Sequence, residues 1–82
     1  MNAIKGFTAV DNFPTVPVQV RVVVYYLEGF NCWVVDIQHK NKLDEWYSDS
    51  DPFRSTDKKD CLDYYEELKT DKVYTNLVEI IP

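Results

Sequence analysis

The segment Val18-Gln-Val-Arg-Val-Val-Val-Tyr-Tyr-Leu-Glu28 constrains this chain more than any other. Its even positions are Val18, Val20, Val22, Val24 and Tyr26, a strict period of two built mainly from β-branched residues. β-Branched side chains are stiff at χ1 and pack well on a pleated surface, so this pattern predicts a strand with one fully apolar face. The odd positions begin polar, at Gln19 and Arg21, and end apolar, at Val23, Tyr25 and Leu27. The second face is therefore expected to be half covered.

Ile4–Val10 reads as a short strand, and Pro14 and Pro17 then impose an irregular extended segment. Whether residues 1–17 join the sheet is open at this level. Glu28-Gly29-Phe30-Asn31 reads as a turn with Gly29 supplying positive φ. Cys32–His39 returns as the second half of a hairpin, with Trp33, Val35 and Ile37 on one face and Val34, Asp36 and Gln38 on the other. Lys40-Asn41-Lys42 is the next turn and Leu43–Ser48 a third, weaker strand, broken by Ser48–Pro52. Ser55, Thr56 or Asp57 can cap a helix running from about Asp57 to Lys69, because a short side-chain oxygen accepts from an otherwise orphan amide. Cys61, Leu62, Tyr65 and Leu68 form its apolar stripe, with Tyr64 at the edge. Val73–Ile81 is the last strand, with Tyr74, Val78 and Ile80 opposite Val73, Leu77 and Ile81, and it reads as buried. The expected fold is a single α+β domain spanning residues 1–82: a mostly antiparallel sheet of four or five strands, made by a β-meander, one helix and a final strand, with the helix packed on one face. Eighty-two residues support one core and no more.

Catalytic and cofactor chemistry finds little purchase. Two glycines cannot form a phosphate-cradling loop, and no Walker A, G-x-G-x-x-G, G-x-S-x-G or H-E-x-x-H motif is present. His39, the only histidine, ends a strand beside a Lys-Asn-Lys turn, and Asp36, three residues away, falls on the opposite strand face. Cys61 sits on the helix's apolar stripe and reads as a small buried hydrophobe. Asp49-Ser50-Asp51 opens like a calcium loop, but Phe53 and Arg54 occupy the positions where that loop needs a ligand and a glycine. Two cysteines and one histidine give no zinc set. The expectation is a protein that is not an enzyme and carries no cofactor or metal. Met1–Val10 lacks a continuous apolar signal region, and the longest apolar run, Val22–Leu27, is far short of a membrane helix. A reducing cytoplasm with two free thiols is the simplest setting.

What the chain does carry is charge and rings. Residues 1–42 have a net charge of +1 and residues 43–82 one of -6, giving the overall -5. An acidic half disfavours direct nucleic-acid binding, where neutralising phosphates supplies most of the affinity. Asp60, Asp63, Glu67 and Asp71 follow spacings that line one helix face within about 80° of arc, away from the apolar stripe, with Lys58, Lys59 and Lys69 on other faces. Asp44, Glu45, Asp49 and Asp51 frame Trp46 and Tyr47; one ring is expected to face the core and the other to stand among acids. Trp33, Tyr26 and Tyr65 read as the core ring set, and Trp46, Tyr47 and Tyr64 as a surface set.

An aromatic among carboxylates suits an Arg- or Lys-rich partner. In size, charge and compactness the chain resembles small acidic inhibitors such as barstar-like nuclease immunity proteins and phage-encoded anti-CRISPR proteins; no motif carries that resemblance and no residue role transfers with it. The expected function is a non-enzymatic inhibitor that blocks the basic surface of a nucleic-acid-handling protein or nuclease. Its sharper form is a nucleic-acid mimic, with the carboxylates of the helix and of residues 44–51 forming one face. The alternative is an assembly module or homodimer that self-associates through the Val18–Glu28 and Val73–Ile81 strands.

Overall fold

The structure, a computed structural model, describes residues 2–48 and 51–81. Six strands and one helix follow in the order β1 (Ala3–Asp11), β2 (Val18–Leu27), β3 (Cys32–Lys40), β4 (Trp46–Tyr47), β5 (Phe53–Ser55), α1 (Lys58–Lys69) and β6 (Tyr74–Ile81). All pairings are antiparallel, in the lateral order β4-β3-β2-β1-β6, with β5 also on β3. The α+β class, the meander and the single helix on one face are as the sequence predicts, with six strands in place of four or five. Among the described residues no helix is long and apolar enough to cross a membrane.

β2 is the centre. It pairs with β1 from Val18 to Tyr25 and with β3 from Val20 to Leu27. Its even face meets α1 in one cluster of Phe7, Ala9, Val20, Val22, Val24 and Val35 against Cys61, Tyr65 and Leu68. Phe7 and Tyr65 sit at the centre, ring centroids 5.5 Å apart. Burying side chains of this size contributes about 1.5–3 kcal/mol each. The opposite face is half covered, as expected: Val23 and Val34 are buried there, and Val34 is flanked in register by Tyr25 and Arg54.

α1 starts where the sequence predicts. Asp57 is the N-cap and accepts from the Lys59 amide at 3.0 Å, while Ser55 Oγ accepts from the Asp57 amide and donates to Asp60 Oδ2.

Residues 3–11 join the sheet as β1, between β2 and β6, which answers the question the sequence leaves open. Four expectations are corrected. Leu43–Ser48 is not one strand: Asn41 Oδ1 accepts from the amides of Leu43 and Glu45 and Asp44 takes φ 66°, so residues 41–45 curl and leave only Trp46–Tyr47 to pair. Positive φ in the β2–β3 turn falls on Asn31 (φ 49°), not Gly29, which lies in a 3-10 turn over Glu28–Phe30. Tyr26 stays 41% exposed instead of joining the core. β6 is an edge strand instead of a buried one: Val78 and Ile80 are exposed, and Asn76, at φ 55°, together with two register shifts against β1, breaks its alternation.

Phe7→Ala is expected to lose about 3–5 kcal/mol of a total stability of about 4–12 kcal/mol. Phe30→Ala, at a 73% exposed ring, should change it by less than about 0.5 kcal/mol. Urea unfolding of the two variants checks the contrast.

Candidate functional site

α1 and β5 meet along a shallow groove of about 250 Å³ lined by Phe53, Asp60, Asp63, Tyr64 and Glu67. Helical spacing aligns the three acids, and pairing of β5 with Trp33–Val35 of β3 lays Phe53 beside the helix. The Phe53 and Tyr64 rings contact at 4.9 Å between centroids, with Phe53 39% exposed. Two rings thus form the floor of a groove rimmed by carboxylates. Phe53 is not among the binding residues expected from the sequence because a three-residue strand between Pro52 and the helix cap is too short to show periodicity.

Two details of the expected stripe change. Asp71 lies beyond the end of α1, where its Oδ1 accepts from the Val73 amide and shapes the turn into β6, so it does not extend the groove. The lysines are not all elsewhere: Lys59 Nζ lies 2.8 Å from Asp63 Oδ2, and that partner raises the Lys59 pKa. Lys58 stands over Trp33 at 5.1 Å, and Lys69 joins Glu66 and Glu79. Asp60 gives one oxygen to Ser55. The Lys59–Asp63 pair is exposed on both sides, and such pairs open readily to competing partners and to salt.

None of Asp44, Glu45 and Asp51 lines the groove. Asp44 pairs with Lys40 at 3.0 Å, Glu45 is tied to Asn41 in the turn, Asp51 is exposed, and Asp49 lies outside the described residues. Neither ring of the segment enters the core. Tyr47 is 44% exposed, with its ring 6.3 Å from that of His39, and Trp46 is half-buried on the open sheet face among cations instead of acids: the Arg21 guanidinium lies 4.7 Å and the Lys40 ammonium 5.3 Å from its ring centroid.

A polar network spans that open face. Asp36, buried, accepts from Ser48 Oγ at 2.8 Å and from Gln38 Nε2 at 3.0 Å, and Gln38 Oε1 in turn accepts from Arg21 Nε at 2.8 Å. Tyr25 shares the neighbourhood; burial first and the Asp36 charge second push its hydroxyl pKa up, while Arg54 pulls it down. The network joins β2, β3 and the chain after β4, and nothing in local spacing announces it.

His39 does have a carboxylate neighbour, but from β1 and not from Asp36. Its Nε2 lies 3.0 Å from Asp11 Oδ2, and both side chains are nearly buried. Asp11 also accepts from the Phe13 amide, so the pair anchors the root of the 12–17 loop. Cys61 is fully buried, and desolvation raises its thiol pKa, which suits a core residue and not a nucleophile. A larger open concavity of about 660 Å³ lies at the hairpin end between Asn2 and Tyr25–Gly29, where Glu28 is its only acidic or basic side chain. Of the two strands expected to carry self-association, β2 has both edges paired within its own sheet and β6 lies at the sheet edge.

Comparison of the chain with family models, with curated proteins and with solved structures finds no match.

One ion pair ties α1 to the sheet beside this region. Lys69 Nζ bonds Glu79 Oε1, which lowers the Glu79 pKa below its ordinary 4.5 and raises that of Lys69 above 10.5. The stabilisation carried by Glu79 is therefore present above its unfolded pKa and lost as pH falls through its depressed folded value. Glu79→Gln should lower the thermal midpoint at neutral pH and make no difference at about pH 2, with the neutral-pH difference shrinking in high salt. Melts at the two pH values check this.

Proposed function

We propose that this chain is a non-enzymatic, acidic protein-binding module that inhibits a basic, nucleic-acid-handling partner, such as a nuclease, by covering its basic surface, in the manner of anti-CRISPR and nuclease-immunity proteins. The observation that supports it is the groove in which Asp60, Asp63 and Glu67 rim the Phe53–Tyr64 ring pair. A guanidinium or ammonium from the partner gains there both a ring face and a carboxylate, two contacts that reinforce each other when water is excluded. The ring pair supplies apolar area that helix acids alone would not, and buried aromatic anchors dominate binding energy at such interfaces. The acids around it raise the encounter rate with a cationic surface. The concentration of negative charge in residues 43–82 disfavours nucleic acid itself as the ligand.

The test replaces Asp60, Asp63 and Glu67 together by Lys. Wild type should retain a basic nucleic-acid-handling protein from a lysate of its source cells, with affinity falling steeply as salt rises. The triple variant should bind that partner, once purified, about 100-fold or more weakly, and Phe53→Ala about 10-fold more weakly with the salt dependence unchanged. Unaltered affinity and salt slope in the triple variant contradict the role given to the groove.

A further inference from the structure

We propose that the open sheet face binds a small oxyanion, a phosphate or carboxylate group, between the guanidinium of Arg21 and the ammonium of Lys40. This site is on the face opposite the acidic groove and stands independently of it.

Arg21 is held as binding arginines are held. The buried Asp36 carboxylate orients Gln38, and the single Gln38 Oε1 takes both Nε and Nη2 of Arg21, so the guanidinium plane is fixed before any ligand arrives. Trp46 supports the same guanidinium from below at 4.7 Å. Its Nη1 has no hydrogen-bond partner among the described residues, and none of their carboxylates lies within ion-pair distance of it. An arginine that is ordered by a neutral amide keeps its full charge for a ligand. Lys40 brings a second cation to the same indole at 5.3 Å, and its ion-pair partner Asp44 is 83% exposed and easily displaced. Two cations on one ring repel each other, and an oxyanion between them relieves that repulsion. Arg21 offers a planar donor and Lys40 a point charge, the pair of chemistries that recurs at phosphate and carboxylate sites. The overall charge of -5 disfavours an extended polyanion and favours a small ligand.

Trp46 is its own reporter. In a Trp33→Phe background it is the one tryptophan left. Its emission is followed while sodium phosphate, and in a separate arm sodium acetate, is added at ionic strength held constant with sodium chloride. A saturable change is expected with at least one anion; phosphate alone assigns a phosphate ligand, acetate alone a carboxylate, and both assign the oxyanion in general. Arg21→Gln should weaken binding at least tenfold and Arg21→Lys less. Lys40→Gln, on the sheet margin, provides the same check if Arg21→Gln loses its native circular dichroism. Absence of saturation with both anions, or wild-type affinity in Arg21→Gln and Lys40→Gln, overturns the proposal.

Discussion

Burial of β2 on both sides and against α1 is the interaction on which the rest of the molecule depends. Strands β1 and β3 satisfy its backbone groups along nearly its whole length, and Val20, Val22 and Val24 meet Cys61, Tyr65 and Leu68 of the helix. A domain of 82 residues buries a modest share of its surface, so it cannot spare a second core. Everything of functional interest is consequently mounted on the margins of this one. β5 reaches the helix only because β3 offers it an edge, and the acidic groove exists only where β5 and α1 meet.

The two faces of the domain are chemically distinct. On the helix side the exposed acids surround a ring pair; on the open sheet face Arg21 and Lys40 converge on Trp46 above a buried carboxylate. Net charge hides this division.

Regular alternation and helical spacing were legible in the residues themselves. The Val18–Leu27 pattern predicts a strand with a half-covered second face, and Cys61, Tyr65 and Leu68 predict the buried stripe of α1. Short and long-range features were not. The Leu43–Ser48 segment departs from the expected strand because a side-chain amide, Asn41, outcompetes the ladder for two backbone donors. The sequence predicts a buried β6 because apolar content does not distinguish an edge from a centre; the strand order does. Of the candidate site, Asp60, Asp63, Tyr64 and Glu67 follow from helix geometry, whereas Phe53 and the Asp36–Gln38–Arg21 relay come together only through strand pairing.

The central claim is that the binding margins are carried on a single rigid spine made by β1, β2 and β3. Native-state hydrogen exchange tests it most directly. Amides of Val20, Val22 and Val24 should exchange only through global unfolding, with opening free energies equal to the total measured by urea, while Tyr47 in the short β4 pairing opens at a clearly lower free energy. Exchange of the β2 amides through local opening, at free energies no higher than those of β4, would contradict the account.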